Sequence, residues 1–329
     1  MKFNILQQDP FRILSSTKFV VENLQYIEIN EDSFDLISKK ITERLQQGLD
    51  TYKIGFGTAK NYEEDLQLIF LEDVINFCFW SEKDKPLWRV KSPEGEIPSG
   101  GWFSLVNCFK RAIKNKKAIL NPEYLIALTL PEVREIFKGI NGVDIPLVEK
   151  RLENLREVGK VLKNKFFSKF VNLLNAADYD AIKIVKSVYE SFSSFKDIAH
   201  LNGKDIFFLK RAQILAQDLS YLTQKYKNRR INNLHLLTAF ADYKLPQMLR
   251  KCDVIKYKDN LAKKVDSYVL IPAGSREEIE IRSVTVWCIE LIRQKLEKYT
   301  AADIDNALWL ISQNQTNVKP YHRTYTIFY

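Results

Sequence analysis

The sequence predicts a mainly α-helical protein with a small β element in its N-terminal third. Apolar residues recur every three or four positions in segment after segment, which is the period of a helix that packs one face against a core. Strand patterns are few, and the best of them cover 24–29 and 87–91. The chain of 329 residues is 46% hydrophobic, which is enough for one large core or two smaller ones.

The predicted helices follow one another along most of the chain. Ser33 is a candidate cap and Gly48 a candidate stop for the first of them, and Pro146 opens a long helix. The last two are predicted at 277–299 and 302–313. The apolar faces of the others are Phe34, Ile37, Ile41 and Leu45; the stretch 65–80; Trp102, Leu105, Val106, Phe109 and Ile113; Leu130, Val133, Phe137 and Ile140; Val148, Leu152, Leu155, Val158, Leu162, Phe166 and Phe170; Ala181, Val185, Val188 and Phe192; and Phe208, Ala212, Leu215, Leu219 and Leu222.

Glycine and proline interrupt the helical period at 139–146, which predicts a boundary between two closely packed helical lobes. The N-terminal lobe, 1–145, would contain the small β element, and the C-terminal lobe is 146–329. The segment 90–101 holds two prolines and three glycines, so we expect a long surface loop that borders a pocket. The active site is expected between the lobes, which together form one compact unit.

Several classes of site are not supported by the sequence. The histidines are His200, His235 and His322, and no two of them have the spacing of metal ligands. No glycine-rich phosphate motif occurs, and the four cysteines lie far apart. No apolar run reaches the roughly 18 residues of a membrane span. We therefore expect a cytoplasmic protein without metal, cofactor or membrane contact, whose oligomeric state the sequence does not indicate.

The formal net charge of +9 favours anionic partners such as phosphate esters or nucleic acid. The lysines and arginines are spread over several segments, and such runs are more often solvated helix faces than a groove for nucleic acid. We therefore expect a small anionic ligand and no stable nucleic-acid partner.

Asp242 lies in the segment 240–247, between Phe240 and Tyr243 and just ahead of Pro246. Proline is tolerated at the start of a helix, so Asp242 is expected beside a helix N-terminus, where a carboxylate stays ionised. One interpretation is a helix cap, which the segment alone favours. The other is a carboxylate beside an aromatic wall that stacks on a nucleobase, which is an arrangement suited to cleaving the base from its sugar.

Asp73, Asn76 and Trp80 are spaced by three and four residues in the predicted helix 65–80, which puts them on one face. A polar stripe within an apolar helix forms either an internal hydrogen-bond network or the wall of a ligand site. Both alternatives remain open from the sequence.

Further candidate groups lie towards the C-terminus. Lys210 and Arg211 follow 201–204, which is predicted as a tight turn between two helices, and a cation there can hold phosphate. Asp305 and Trp309 are four residues apart on a predicted helix, and Asp305 either binds an amine or a base edge or caps the helix. Glu278 and Arg282 suit an ordinary i, i+4 pair, and the cluster 320–323 is either a phosphate contact or a strap that closes the core.

Five blocks in order along the chain resemble the queuosine salvage family, whose members are queuosine 5′-phosphate N-glycosylases. The blocks are 76–80, 210–215, 240–247, 278–282 and 321–323. The resemblance implies that water cleaves the glycosidic bond of queuosine 5′-monophosphate to give queuine and ribose 5-phosphate. It also implies a helical fold related to the helix-hairpin-helix DNA glycosylases.

Residue roles follow from the same resemblance. Asp242 matches the catalytic aspartate, Phe240 the aromatic that stacks on the base, and Lys210 the lysine on the phosphate side. Asp305 matches the acid that meets the base or its side-chain amine, and Asn306 stands where many relatives carry an aromatic. The other residues expected to bind substrate are Asp73, Asn76, Trp80, Tyr243, Arg211 and His322.

Breaking an N-glycosidic bond builds positive charge on the ribose, and an ionised carboxylate such as Asp242 stabilises that charge. Two other functions remain compatible with the sequence. One is a base-excision glycosylase that acts on nucleic acid, and the other is a helical module that binds queuosine-modified RNA without catalysis.

Overall fold

The computed structural model describes residues 2–49, 59–313 and 315–329, and these residues form a mainly helical protein. Their helices are α1 (Ile13–Val21), α2 (Phe34–Gln46), α3 (Tyr62–Val74), α4 (Gly101–Lys114), α5 (Pro122–Ala127), α6 (Leu130–Ile136), α7 (Val148–Lys165), α8 (Phe170–Ala176), α9 (Ala181–Ser191), α10 (Lys210–Lys227), α11 (Lys244–Lys251), α12 (Asp259–Asp266), α13 (Arg276–Leu296) and α14 (Ala301–Gln313). Their strands are β1 (Ile27–Ile29), β2 (Ile198–Leu201), β3 (Lys204–Phe207) and β4 (Ile255–Tyr257). The mainly α prediction is confirmed.

The predicted strand at 24–29 is shorter in the structure and has a distant partner. It becomes β1, which pairs antiparallel with β4 so that Ile27 faces Tyr257 and Ile29 faces Ile255. The small β element of the first third is therefore completed by a segment more than 200 residues further along the chain.

The second predicted strand, 87–91, is wrong because its backbone bonds to side chains and to a loop. Ser104 of α4 accepts the N–H of Val90 at 3.2 Å, and Asn107 of the same helix donates to the carbonyl of Val90 at 3.1 Å. The N–H of Ile140 donates a hydrogen bond to the carbonyl of Arg89 at 2.9 Å. These partners satisfy the backbone groups that a neighbouring strand would otherwise have paired.

The turn at 201–204 joins two strands and not two helices. Asn202 and Gly203 have φ angles of 49° and 73°, and β2 pairs with β3 on either side of them. A two-residue loop with both central residues at positive φ matches the twist of a hairpin, and Asn-Gly is its commonest sequence. The Asn-Gly pair was therefore the signal that the helical interpretation missed.

The helix predicted over 65–80 ends at Val74, so Asp73, Asn76 and Trp80 do not share one helical face. Two buried arginines bind the free carbonyls at this helix end. Arg211 donates to the carbonyl of Asp73 at 3.0 Å, and Arg151 donates to that of Cys78 at 3.2 Å. Because these guanidinium groups donate to the carbonyls of Asp73 and Cys78, the chain can leave the helix without leaving those two backbone carbonyls unpaired.

Other helix boundaries agree with the sequence to within a few residues. The helix α2 begins directly after Ser33 and ends before Gly48, whose φ is 84°. The long helix predicted to reach Phe170 ends instead at Lys165, because Phe167 and Ser168 take left-handed φ angles of 48° and 63°. The helix predicted over 130–140 ends four residues early in the structure, at Ile136.

The core is built around α13, where an unbroken run of side chains from Glu277 to Glu290 is buried. The helices α1, α2, α11 and α14 pack against it. The C-terminal end of the chain also lies in the interior: Tyr329 is buried, and its carbonyl accepts the N–H of Cys78 at 2.8 Å. Within the described ranges, none of the helices combines the length and apolar character needed to cross a bilayer.

Candidate active site

A cavity of about 240 Å³ lies where the first residues of α4, α10 and α11 meet one face of α14 and the segment after α3. Its wall is largely aromatic, with rings from Phe77, Phe79, Trp102, Phe240, Tyr243, Trp309, Tyr321 and Tyr329. Within the described residues, the carboxylates and cations that line it are Asp242, Asp305, Lys210, Lys244 and Arg89. Charged groups among aromatic rings suit a flat ligand that also carries charge.

Asp242 both lines this cavity and caps a helix. Its Oδ1 accepts the backbone N–H groups of Lys244 and Leu245 at 2.7 and 2.9 Å. The helix α11 begins at Lys244, so Pro246 is its third residue, where the missing N–H would have had no partner in the helix. The two interpretations of Asp242 are therefore compatible, because one oxygen caps the helix and the carboxylate still belongs to the cavity wall.

Burial changes the expected protonation of Asp242. A helix N-terminus favours the ionised form, but desolvation is the larger effect and raises the pKa of Asp242 above its ordinary value. The charge of Lys210 is the strongest opposing influence. Burial, with only 8% of the residue exposed, therefore opposes the effect of the helix N-terminus on this carboxylate.

Lys210 begins α10 and lies among carboxylates. Its backbone N–H donates to Asp197 at 3.0 Å, which fixes the first turn of the helix. Burial lowers the pKa of Lys210, and the charges of Asp242, Asp73 and Asp305 raise it in that order. A cation in this environment is already neutralised by neighbouring carboxylates, which makes it a poor sole partner for a doubly charged phosphate.

Asp305 connects α14 to the segment that carries Phe240. Its Oδ2 accepts the backbone N–H of Phe240 at 2.7 Å. Burial, and then the charge of Asp242, raise the pKa of Asp305 well above its ordinary value. Asp305 therefore holds the backbone of the Phe240 segment, and its carboxyl group also forms part of the cavity wall.

Seven further residues were expected to bind substrate, and three of them line the cavity: Asn76, Asn306 and Tyr243. The amide nitrogen of Asn306 lies 3.5 Å from the hydroxyl of Tyr221. The ring of Tyr243 packs against that of Tyr321 with centroids 4.8 Å apart. These contacts fix the side chains that face the ligand space.

The structure does not bring Asp73, Trp80, Arg211 or His322 to the cavity wall. The guanidinium of Arg211 donates hydrogen bonds to backbone carbonyls, including that of Asp73. Trp80 packs against Tyr325 with ring centroids 4.7 Å apart. These four residues therefore lie away from the cavity wall, whereas the sequence led us to expect that each contacts the substrate directly.

His322 is neutral as well as buried. Desolvation, and then the charge of Arg282, lower its pKa to about 3. Its Nε2 lies 3.2 Å from the hydroxyl of Tyr329. A neutral imidazole behind the wall does not supply a positive charge to a phosphate, so the structure favours the strap over the phosphate contact for this terminal cluster.

Two cations that line the cavity, Arg89 and Lys244, were not among the site residues expected from the sequence. Lys244 lies within the Asp242 segment, 240–247, and Arg89 precedes the glycine-rich loop. The border position expected for that loop agrees with the structure, since Ser99, Gly100 and Gly101 also line the cavity.

Replacing Gly101 by alanine should lower the free energy of unfolding by roughly 1–3 kcal/mol, measured by urea denaturation. A Cβ at this position would lie 2.2 Å from the Cβ of Phe79, a wall residue that cannot move aside without shifting its backbone. The control is Gly100→Ala, whose Cβ would meet only the end of the flexible Gln313 side chain at 2.8 Å. Equal losses for the two variants would contradict this account.

Comparison with known proteins identifies the family to which this chain is similar. The model of the family described as queuosine salvage protein matches residues 57–329. A protein of Sphaerobacter thermophilus is 35% identical over 98% of both chains. One of Bos taurus is 34% identical over 95% of this chain and 97% of its own, and one of Mus musculus is 31% identical over 97% and 99%. All three are named queuosine 5′-phosphate N-glycosylase/hydrolase. This chain belongs to the queuosine salvage protein family.

Proposed function

We propose that this protein hydrolyses the N-glycosidic bond of queuosine 5′-monophosphate and releases queuine and ribose 5-phosphate. The observation that carries the proposal is the cavity in which Asp242 and Lys210 lie together beside the ring of Phe240. A carboxylate, a cation and a stacking surface are what cleavage of a base from a sugar requires. The names of the relatives give the same reaction for those proteins.

Asp242 is proposed as the catalytic carboxylate. It would stabilise the positive charge that develops on the ribose and accept a proton from the attacking water. Its raised pKa supports the second role, because a general base works best when its pKa lies nearer to the pH of the reaction. Water adds its oxygen to C1′, and the electron pair of the C1′–N bond leaves with the base.

The base is proposed to stack on Phe240, with Asp305, Asn306 and Asn76 at its polar edges. Queuosine carries a secondary amine that is cationic near neutral pH, so a carboxylate is a suitable partner for it. Asp305 lines the cavity and is already oriented by its bond to the Phe240 backbone. We propose that Trp80, Arg211 and His322 act indirectly, by holding the backbone and rings behind this wall.

The phosphate is proposed to lie against Arg89 and Lys244, at the side of the cavity where α4 begins. The helix starts at Gly101, and among the described residues no side chain caps it, so its first N–H groups could meet an anion. Both cations line the cavity, and Lys210 has three carboxylate neighbours. We therefore propose Arg89 and Lys244 as the phosphate contacts in place of Lys210, which the resemblance implied.

Replacing Lys244 by methionine should raise KM for the nucleotide about tenfold and leave KM for the nucleoside unchanged, because one charge-assisted contact to phosphate is lost. Steady-state kinetics with both substrates measure this. Lys210→Met is the comparison, and it should lower kcat equally for both. A nucleotide-selective effect of Lys210→Met with none from Lys244→Met would return the phosphate to Lys210.

The reaction itself is tested by incubating purified protein with queuosine 5′-monophosphate and measuring free queuine by mass spectrometry. Queuine release that Asp242→Asn abolishes is the expected result. Queuosine-containing tRNA in place of the nucleotide should give no release, which would separate this function from that of a base-excision glycosylase. No queuine from the nucleotide, even at high enzyme concentration, would contradict the proposal.

The two-lobe organisation, 1–145 and 146–329, and the relation to helix-hairpin-helix DNA glycosylases are also proposed. Support for the lobes comes from the cavity, whose wall takes Asn76 and Arg89 from the first segment and Lys210, Asp242 and Asp305 from the second. A site formed between lobes would allow the substrate to enter along their boundary. Location in the cytoplasm stays a prediction.

A further inference from the structure

Asp73 is a buried carboxyl group that the proposed reaction does not use. It lies in the last turn of α3 with none of its surface exposed. Its Oδ1 lies 3.4 Å from the amide nitrogen of Asn76, and its Oδ2 has no hydrogen-bond partner within the described part of the chain. A buried carboxyl oxygen left unpaired costs stability, so its presence requires a compensating role.

The neighbours of Asp73 connect it to the cavity. The helices α3 and α10 pack together, and Arg211 of α10 donates to the backbone carbonyl of Asp73 at 3.0 Å. Lys210, the residue before Arg211, lines the cavity, and so does Asn76. The charged groups that face Asp73 are Lys210 and Arg211 from α10 and Glu72 from its own helix. Asp73 is therefore near enough to influence the charge of Lys210, although it does not line the cavity itself.

We propose that Asp73 is a positioning residue that keeps Lys210 protonated, so that Lys210 enters each turnover as the proton donor to the departing base. This inference rests on the proposed hydrolysis. Asp242 and Asp305 also face Lys210, but both lie on the cavity side, where substrate and product change their surroundings. Asp73 is fully buried and does not line the cavity, so in its ionised form it is a negative neighbour of Lys210 that substrate and product do not contact.

The protons balance as follows. The ammonium of Lys210 gives its proton to the base as the C1′–N electron pair leaves, and Asp242 takes a proton from the attacking water. Lys210 is then a neutral amine and Asp242 a carboxylic acid. The acid releases one proton to solvent and the amine takes one up before the next turnover, so no further reactant is needed.

The charge of Asp73 and the burial of Lys210 have opposite effects on the pKa of Lys210. Burial lowers the pKa of Lys210, and the negative charge of Asp73 raises it. Burial raises the pKa of Asp73 to about 7, so its charge is present above that pH, where Lys210 would otherwise lose its proton. Removing the charge of Asp73 must therefore move the loss of the Lys210 proton to lower pH.

The test is an NMR titration of protein labelled at the lysine Cε, with the Lys210 signal assigned by its absence from Lys210→Met. Asp73→Asn should shift the titration of Lys210 down by about one pH unit, because the amide keeps the shape of the side chain and removes its charge. An unchanged titration would overturn the proposal. The wild-type protein gives a second readout: the Lys210 signal should also report a step near pH 7 as Asp73 ionises, and the absence of that step would count equally against the proposal.

Kinetics separate this inference from the proposed function. The alkaline limb of kcat/KM against pH should move down by about one unit in Asp73→Asn, which is about a tenfold loss on that limb. The matched control is Glu72→Gln, which changes a carboxyl group one residue away that is also buried and has Lys110 nearby, and it should leave the limb in place. If the wild-type protein releases no queuine, the proposed function fails, and the NMR titration still decides the role of Asp73.

Discussion

Replacing Asp242 by asparagine should lower kcat for queuosine 5′-monophosphate by roughly 10³-fold while the protein stays folded. The variant removes both the negative charge opposite the developing ribose cation and the base that accepts the water proton. Asparagine keeps an oxygen at Oδ1, so it can still accept the N–H groups of Lys244 and Leu245 that Asp242 accepts at 2.7 and 2.9 Å. Loss of charge and loss of the helix cap are thereby separated in one substitution.

Single-turnover kinetics and thermal unfolding measure the two effects. The matched control is Asp180→Asn, because Asp180 caps α9 in the same way, through the N–H of Lys183 at 3.1 Å, and does not line the cavity. That control should leave kcat unchanged. If Asp242→Asn retains near-normal kcat, or loses activity only because it unfolds, Asp242 is a structural cap and the catalytic carboxylate lies elsewhere.

The local features of this fold were predictable from the sequence, and the distant contacts were not. The helical period located α2, α4, α10 and α14 because apolar residues recur along each of them at helical spacing. The pairing of β1 with β4 has no local signal in the sequence, since more than 200 residues separate the two strands. The same holds for the end of α3, which depends on buried arginines that come from α7 and α10.

The candidate site divides in the same way. Phe240, Asp242 and Tyr243 are neighbours in sequence, so their common position on the cavity wall followed from one short segment. Arg89 and Lys244 meet only through folding, and nothing in the sequence indicated which of the many basic residues would share a cavity. Burial was also hidden: the raised pKa of Asp242 depends on the rest of the protein covering it.

Asp197 shows how the interior supports the site. Its carboxylate accepts the backbone N–H of Lys210 at 3.0 Å and two bonds from the guanidinium of Arg282 at 2.8 and 2.6 Å. Arg282 also donates to the carbonyl of Ala241, next to Asp242, at 3.2 Å. The pair expected from the sequence, Glu278 with Arg282, is present at 3.6 Å but is the longer of the two ion pairs. One buried ion pair thus holds the backbone beneath both Lys210 and Asp242.

Replacing Arg282 by methionine should therefore lower the free energy of unfolding by roughly 3–5 kcal/mol, measured by urea denaturation, because it leaves Asp197 buried without its charged partner. The guanidinium and the carboxylate are 2% and 3% exposed, so water cannot replace the lost bonds. The control is Arg134→Met, which breaks two exposed ion pairs, one with Asp144 and one with Glu149. It should lower the free energy of unfolding by less than about 1 kcal/mol.

The double variant Arg282→Met with Asp197→Leu should recover much of the lost stability, because two apolar side chains replace a buried ion pair without leaving a charge. Its activity should stay low, since the N–H of Lys210 has lost its acceptor and the Ala241 carbonyl its donor. Recovery of stability without activity would assign the ion pair to the geometry of the site. Recovery of both would show that the pair only fills the core, and a loss of stability in Arg282→Met no larger than in Arg134→Met would show that it does not support the fold.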